Sequence, residues 1–334
     1  MPSIPLRVGL VGAGVITKHH LPNLLALGAE VYVYSENGAE ELVQTHGGGT
    51  VVPTLDDLLA RVDVVDIAAP TYAHADIARR ALKAGKDIIS EKPLTRTNGE
   101  ASELQRLAEA TGRRIFPAHV VRYFPEYKRL KDAVASGLLG DLAVLRFARS
   151  GSFPTRSAWF ADPTLSGGII MDQMIHDLDV ARWVAGDVTA VSATSVRTGP
   201  DEAPIEAAHV LLTHESGAIS HVAGIWGPAH LKFTTEYSVT GTAGTLSHSS
   251  SEERNYTTDY PDASMSVQLT PASDPVASPY FLELQEFVRA LDGGPNPRVS
   301  IADGVAAVRI ANAALQSLHS GQPVTIAAAE RSLA

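Results

Sequence analysis

The chain has 334 residues, of which 45% are hydrophobic and none is cysteine. This length is enough for about two domains of roughly 150 residues each. The absence of cysteine excludes disulfides, thiolate metal sites, iron–sulfur clusters and a cysteine nucleophile. No stretch approaches the ~20 apolar residues of a membrane helix, and no secretory signal pattern is visible at the start. We therefore expect a cytoplasmic globular protein.

The charge is unevenly distributed along the chain. In total, 27 Lys and Arg oppose 37 Asp and Glu, for a net charge of −10. The first 150 residues carry 18 basic and 17 acidic side chains, and the remainder carries 9 and 20. Proteins that bind nucleic acids need a basic surface, which neither half supplies. We expect neither a nucleic acid nor a membrane as a partner, and the near-neutral half is the better place for an anionic cofactor.

The first third of the chain alternates short apolar runs with helical patterns. Strands are predicted at residues 6–11, 30–35, 63–68, 86–90 and 114–118. Helices are predicted between and after them, at residues 16–27, 39–45, 55–60, 74–84 and 98–111. Alternation of strands and helices with short connections predicts a doubly wound parallel sheet.

The pattern changes after about residue 120. Helices are predicted at residues 125–136, 168–184, 280–291 and 301–320, and strands at 188–197, 206–214, 218–226, 231–240 and 245–249. The alternating strands indicate an open, mostly antiparallel sheet, and residues 249–278 read as a loop with a weak strand at 266–269. We expect two domains, residues 1–120 and 121–334, with the helix at 301–320 as a candidate to pack back on the first.

A glycine-rich turn follows the first predicted strand. Gly12 permits a tight turn, Gly14 lets the backbone approach a pyrophosphate, and Val15 and Ile16 open the helix on which the phosphates would sit. The third glycine of the usual pattern is replaced by Thr17. The strand before and the helix after favour a Rossmann-type dinucleotide-binding turn over a glycine turn without a ligand.

An acidic residue stands where the ribose of a dinucleotide would bind. Glu36 follows the second strand, near the usual offset of about 20 residues from the turn. A carboxylate there accepts hydrogen bonds from the ribose diol and repels a 2′-phosphate, and no Arg stands beside it. NAD is therefore favoured over NADP, with a solvated loop glutamate as the alternative.

Two later motifs complete a family pattern. Residues 87–93 read Asp-Ile-Ile-Ser-Glu-Lys-Pro, and residues 166–179 contain Gly-Gly followed by Asp172, His176 and Asp179. Together with the glycine turn, and with residues 69–74 and 121–125, they resemble the Gfo/Idh/MocA oxidoreductases, named for glucose–fructose oxidoreductase and inositol dehydrogenase. The resemblance covers most of the chain and is weakest over residues 249–278.

The resemblance implies a fold and a reaction. The implied fold is a Rossmann domain followed by an α/β domain on an open, largely antiparallel sheet, often associated into homodimers or homotetramers through that sheet. The implied reaction is hydride transfer between a nicotinamide cofactor and a ring hydroxyl or ketone of a sugar, cyclitol or related polyol. The implied reacting residues are Lys92, Asp172 and His176.

The chemistry of these residue types fits hydride transfer from a carbinol. Asp172 and His176 are four apart and share a helix face, so the carboxylate can orient the imidazole, which is a candidate general base. Lys92 follows a strand and can stabilise a developing alkoxide or take the proton itself. The sequence leaves open which of the two accepts the proton. A surface lysine, a helix-capping Asp172, a core His176 and a metal site with Asp179 remain alternatives, and we expect no metal.

Further candidates surround these residues. Expected cofactor contacts are Gly12, Gly14, Val15, Ile16, Glu36, Pro70, Thr71, His74, Glu91 and Lys92. Expected substrate contacts are Arg122, Tyr123, Trp159 and Gln173. Helix capping is an equal reading for Thr71, as core packing is for Trp159, and His19 and His20 read as surface or packing histidines.

Two other functions are compatible with the fold. One is a reductase of another carbonyl, imine or double bond. The other is a non-catalytic dinucleotide-sensing regulator, which would need no set of reacting residues.

Overall fold

The strands in the described part of the chain form two separate sheets, one of six strands and one of eight. The computed structural model describes residues 5–251, 256–259 and 278–327. The chain divides into two units, residues 1–123 with 274–305, and residues 124–273 with 306–334. No helix within the described ranges is long and apolar enough to cross a membrane.

The first unit is built on a parallel sheet of almost completely buried strands. Its strands are β1 (Arg7–Val11), β2 (Glu30–Tyr34), β3 (Thr50–Val51), β4 (Val64–Ile67), β5 (Asp87–Glu91) and β6 (Ile115–Ala118). Their order is β3-β2-β1-β4-β5-β6, and every neighbouring pair is parallel. The chain reverses its direction of strand addition between β1 and β4, where ligands bind in open sheets of this type. The predicted doubly wound sheet is confirmed, and the two-residue β3 was not foreseen.

Helices connect these strands. They are α1 (Thr17–Ala26), α2 (Ala39–His46), α3 (Leu55–Leu59), α4 (His74–Lys83) and α5 (Asn98–Thr111). Four of these helices are followed by a glycine with a positive φ angle: Gly28, Gly47, Gly85 and Gly112. This conformation costs glycine little and ends each helix within a residue or two of its predicted end.

The second unit carries the mixed eight-stranded sheet. Its strands are β7 (Leu142–Ser152), β8 (Val188–Thr198), β9 (Ile205–His214), β10 (Ile219–Gly227), β11 (Thr234–Gly241), β12 (Gly244–Ser249), β13 (Tyr256–Asp259) and β14 (Val324–Thr325). The remaining helices of the chain are α6 (Pro125–Ala135), α7 (Pro163–Ser166), α8 (Ile175–Ala185), α9 (Pro279–Leu291) and α10 (Ile301–Ser320). The strand order is β13-β12-β11-β7-β10-β9-β8-β14, and only the β7–β10 pair is parallel.

Three predictions for this part of the chain need correction. The long strand β7 was missed because its inward-facing Arg149 interrupts the apolar alternation. The helix predicted from residue 168 is a π-helical turn over Ile170–Met174 followed by α8. The predicted loop contains β13, which pairs with β12, and the weak strand at 266–269 lies outside the described residues.

Residues 274–305 group with the first unit instead of the second. In α9, the Phe287 ring stacks on Phe116 of β6 with a centroid distance of 5.2 Å, and Leu284 belongs to the same apolar core. The first turn of α10 also lies there, because Gly304 packs against Pro117 and Asp303 pairs with Arg122. The predicted domain of residues 121–334 is thus interrupted by a segment whose apolar face completes the first core.

The backbone at Gly12 fixes the first turn of the parallel sheet. Gly12 has φ +119°, and a Cβ there would lie 2.4 Å from the carbonyl oxygen of Ala68. Its N–H donates to the carbonyl oxygen of Tyr34 at 2.8 Å. The end of β1 can therefore approach the end of β4 only with glycine at this position.

We expect Gly12→Ala to destabilise the protein by about 1–3 kcal/mol or more, from backbone strain and the clash with Ala68. Gly14→Ala is the matched control, because a Cβ on Gly14 meets nothing within 4 Å. Urea unfolding of both variants measures the difference. Equal stability of the two variants would contradict the close approach seen at Gly12.

Candidate active site

The turn after β1 presents open backbone at the start of a helix. Gly14 and Val15 are exposed, and the space beside the Gly14 Cα is empty to 4 Å. Helix α1 has no side-chain cap and no acidic residue in its first turn. Buried Thr17, which replaces the third glycine, donates its hydroxyl to the Gly14 carbonyl oxygen at 2.6 Å. Uncapped N–H groups and an unopposed helix dipole suit a pyrophosphate, so the turn fits a dinucleotide.

Glu36 lies in the loop after β2, next to β1 in the sheet. Its side chain is exposed, whereas neighbouring Val33 is fully buried. This places a carboxylate beyond the carboxyl end of the strand adjoining the glycine turn. The position matches the acidic residue that binds ribose hydroxyls in Rossmann domains.

The loop after β4 is braced against the turn after β5 by His74. The buried His74 ring lies between the carbonyl oxygens of Ala69 and Pro93, 2.8 Å from each. Burial lowers the pKa of His74, although its contacts with the two carbonyl oxygens oppose this shift. His74 therefore holds the segment that contains Pro70 and Thr71 in place, and its ring nitrogens are used inside the unit.

Thr71 does not cap the helix that follows it. It begins a short 3₁₀ turn, Thr71–Ala73, and the residue before α4 is Ala73, which has no side-chain cap bond. The Thr71 side chain is buried beside the carboxyl end of β4. The capping alternative is thus not what the structure contains.

Glu91 and Lys92 end β5 and begin the turn at the same sheet edge. Glu91 is buried, and its Oε2 accepts the Lys92 backbone N–H at 3.1 Å, while Oε1 lies 3.2 Å from His20 Nε2. Lys92 is half-buried. Because the carboxyl ends of parallel strands share one edge, the glycine turn, the Pro70–His74 segment and Lys92 all belong to the ligand-binding edge of this sheet.

Arg122 and Tyr123 point into the body of the first unit. Arg122 is 1% exposed, pairs with Asp303 at 3.2 Å and donates to the Arg298 carbonyl oxygen at 3.0 Å. The Tyr123 hydroxyl donates to Glu286 at 2.9 Å, and burial raises its pKa. Their polar groups anchor the segment around Arg298, and contact with substrate stays a prediction.

In the second unit, Asp172 and His176 lie where the π-helical turn meets α8. Both side chains are half-buried. The start of this segment is fixed by Glu206, whose Oε1 accepts the Ile169 N–H at 2.9 Å and occupies the space that a Cβ on Gly168 would need. A π-helical turn widens the spacing of successive side chains, and such turns are frequent at functional sites.

A buried ion pair lies next to this π-helical turn. Arg149 of β7 binds Asp177 through two hydrogen bonds of 2.8 and 2.9 Å. The Arg149 carbonyl oxygen accepts the amide of buried Gln173 at 3.0 Å. Half-buried Trp159 stacks on Phe160 at 3.9 Å. Gln173 and Trp159 are therefore both anchored within the second unit.

Sequence reasoning missed one cluster of buried side chains. His20, taken as a packing or surface residue, lies between the carboxylates of Asp66 and Glu91. The available signal was Asp66, a lone carboxylate inside an apolar run of a strand covered on both faces. On the second sheet, His209 Nδ1 and His221 Nε2 lie 3.0 Å apart. Within the described ranges, no group of three or more His, Asp or Glu could hold a metal ion.

Two family models match the two halves of the chain. The oxidoreductase family with an NAD-binding Rossmann fold matches residues 6–119. The C-terminal domain of the GFO/IDH/MocA proteins matches residues 127–247.

Individual proteins match nearly the whole chain. Inositol 2-dehydrogenase 1 of Saccharopolyspora erythraea is 28% identical over 98% of both chains. The 1,5-anhydro-D-fructose reductase of Ensifer adhaerens is 26% identical over 96% of this chain and 98% of its own. Among solved structures, GenD2 from gentamicin A biosynthesis, in complex with NAD, aligns with a TM-score of 0.83 at 25% identity over 97% of each chain. With the uncapped glycine turn and the sheet order, these matches establish that the chain belongs to the Gfo/Idh/MocA family of NAD-binding oxidoreductases.

Proposed function

We propose that the protein is an NAD-dependent dehydrogenase acting on a ring hydroxyl of a sugar, cyclitol or related polyol. The observation that carries the proposal is Lys92, a half-buried cation on the same sheet edge as the uncapped glycine turn. The names of the relatives, which include inositol dehydrogenases, support the substrate class. We further propose that the protein works in the cytoplasm, where NAD is available.

The reaction requires two transfers from the carbinol. A nicotinamide cofactor held by the glycine turn and Glu36 would supply the hydride acceptor for oxidation of the carbinol carbon to a carbonyl. The hydroxyl proton must leave to a group on the protein. A cation near the oxygen stabilises the alkoxide that develops as the O–H bond breaks.

We propose Lys92, Asp172 and His176 for the proton chemistry. In one assignment His176 takes the proton, and Asp172 orients the ring and stabilises its cation. In the other, Lys92 takes the proton. We propose Gln173 and Trp159 as substrate contacts, because an amide and an aromatic face both suit a hydroxylated ring.

A reductase is the second candidate, because the Ensifer adhaerens relative carries that name. The same residues would then donate the proton instead of accepting it. Assaying both directions, with NAD and polyol and with NADH and the matching ketone, separates the two. The direction with the larger kcat/KM at neutral pH identifies the assignment.

We expect Lys92→Met and His176→Asn each to lower kcat by about 100-fold, because each removes a proton-transfer or charge-stabilising group. Absorbance at 340 nm with NAD and a panel of inositols and anhydrosugars measures turnover. NADH binding should change by less than about threefold in His176→Asn. The residue whose replacement removes the acidic limb of the kcat/KM profile is the base.

The control for these variants is His319→Asn, at an exposed position in the last turn of α10. It should leave turnover unchanged. Full activity of Asp172→Asn would remove Asp172 from the mechanism. Additive losses in the Lys92→Met, His176→Asn double variant would contradict a shared step, because residues acting as a unit are strongly non-additive.

We expect Glu36→Ala to weaken NADH binding by about tenfold, because hydrogen bonds to the ribose diol are lost. NADPH binding should stay the same or improve, because the carboxylate no longer repels the 2′-phosphate. Fluorescence titration measures both. Glu40→Ala, at an exposed position in α2, is the control. Equal losses for the two cofactors would contradict the proposed role of Glu36.

We propose that the protein forms a homodimer or homotetramer through the open face of the second sheet. Val196, Ala207 and Ile225 align across β8, β9 and β10, and Leu211 lies on the same face. Val196, Leu211 and Ile225 are 57%, 49% and 40% exposed in the single chain. A second copy would remove this apolar row from water.

We expect Ile225→Glu to dissociate the assembly, because an unpaired carboxylate would be buried in the interface. Light scattering after size-exclusion chromatography gives the mass of each species. Gln316→Glu, at an exposed site of α10, should leave the mass unchanged. A monomeric wild-type chain would overturn the proposal.

A further inference from the structure

Four titratable side chains are buried together beneath the ligand-binding edge of the first sheet. His20 of α1, Asp66 of β4, Glu91 of β5 and Glu283 of α9 are each at most 7% exposed. Neither the glycine turn nor the proposed proton chemistry uses the polar groups of these four side chains. Burying four such groups costs free energy unless they are paired or neutral, so their arrangement needs an explanation.

His20 connects two of the carboxylates. Its Nδ1 lies 2.7 Å from Asp66 Oδ2, and its Nε2 lies 3.2 Å from Glu91 Oε1. An ionised carboxylate can only accept hydrogen bonds, so both ring nitrogens must carry hydrogen to satisfy these contacts. Burial lowers the pKa of His20, but the two carboxylates outweigh it and hold the pKa well above its ordinary value. The ring is therefore an imidazolium.

Glu91 extends the chain of contacts to Lys92. Its pKa is lowered by His20 and Lys92 despite the opposing effect of burial, so it is ionised. Its second oxygen, Oε2, accepts the Lys92 backbone N–H at 3.1 Å. The Glu91 carboxylate thus links the imidazolium of His20 to the backbone of Lys92.

Glu283 is the neutral member of the cluster. Neither of its oxygens has a hydrogen-bond partner among the described residues. Burial and the nearby carboxylates of Glu91 and Asp66 raise its pKa well above the ordinary value, although His20 opposes them. A protonated Glu283 leaves the charges of Asp66, His20, Glu91 and Lys92 in balance.

We propose that His20 is a positioning residue for Lys92, acting through Glu91 to fix the Lys92 backbone at the sheet edge. The consequence for turnover rests on the proposed function, in which Lys92 stands by the reacting hydroxyl. The consequence for the lysine itself does not, because its reactivity can be measured without substrate or cofactor.

The first experiment measures the reactivity of Lys92 directly. Competitive acetylation with trace acetic anhydride, read by mass spectrometry, gives the rate of Lys92 relative to exposed Lys83 of α4. We expect His20→Phe to change this ratio by about threefold or more, because the Glu91 carboxylate loses its charged partner. In active protein, kcat should fall by about tenfold or more while KM for NAD changes less, as expected for a misplaced reacting group.

His214→Phe is the matched control. His214 is a buried histidine of the second unit, bonded to the Gly186 carbonyl oxygen and Ser220 Oγ. Its replacement should lower the melting temperature as His20→Phe does, but leave Lys92 reactivity and kcat unchanged. A His20→Phe variant that loses only stability, like this control, would overturn the proposal. If His20→Phe does not fold, Glu91→Gln replaces it, with the same two expected changes and the same overturning result.

The protonation state of the cluster supplies a test independent of activity. Two-dimensional ¹⁵N spectra of the histidine rings should show both His20 nitrogens protonated at pH 8, facing Asp66 and Glu91, with Glu283 neutral beside them. A neutral His20 ring at pH 7 would overturn the proposal. If the wild type binds NADH but oxidises no polyol, the proposed function fails, while the acetylation and ring spectra still decide the role of His20.

Glu283→Gln tests the neutral member. A carboxyl whose pKa is raised in the folded state stabilises fully below its unfolded pKa, near 4.5, and loses this contribution as pH rises. The stability of Glu283→Gln relative to wild type should therefore increase from pH 5 to pH 8 in urea unfolding, with Lys92 reactivity unchanged. A relative stability that stays constant over this range would show a Glu283 that is ionised in both states, and would overturn the charge balance on which the proposal depends.

Discussion

Buried charge is the constraint on which the proposed reacting residues of each unit depend. An unpaired charge in a protein interior is strongly destabilising, so each buried ion fixes the atoms that satisfy it. In the first unit the imidazolium of His20 holds Asp66 and Glu91. In the second, Arg149 holds Asp177 through two bonds of 2.8 and 2.9 Å. Each pair lies directly beside a proposed reacting residue, since Glu91 precedes Lys92 and Asp177 follows His176.

Residues of these ion pairs also make hydrogen bonds that involve backbone groups near the proposed reacting residues. Glu91 uses its second oxygen on the Lys92 N–H, and Arg149 uses its carbonyl oxygen on the Gln173 amide. The reacting side chains can then remain partly exposed while the peptide units that carry them are held by buried groups. A site that must admit substrate and cofactor gains precision in this way from buried groups that support its partly exposed side chains.

Most of the elements were predicted from sequence because the helical and the strand patterns of apolar residues are both strong. The buried parallel strands are continuous apolar runs, and the glycines that end the helices occupy left-handed backbone. Prediction failed where a long-range contact overrode local pattern. Strand β7 was not predicted because it contains a buried arginine. The burial of Arg149 depends on its pairing with Asp177, 28 positions later. The placement of α9 in the first unit depends on Phe287 meeting Phe116, which no local pattern encodes.

The same limit applies to single residues around the site. Motif position did not predict the internal contacts of Arg122 and His74 with Asp303, Arg298, Ala69 and Pro93. Their contacts with ligands stay predictions. The same holds for the internal contacts of His20. Only an imidazolium offers two donors at opposite ends of a short rigid ring, which suits the spacing between carboxylates on β4 and β5. A lysine is a single point charge on a flexible stem, and an arginine carries its donors on a longer one. The preference for histidine at this position depends on the spacing of β4 and β5. Local sequence does not contain that spacing, because it exists only in the folded sheet.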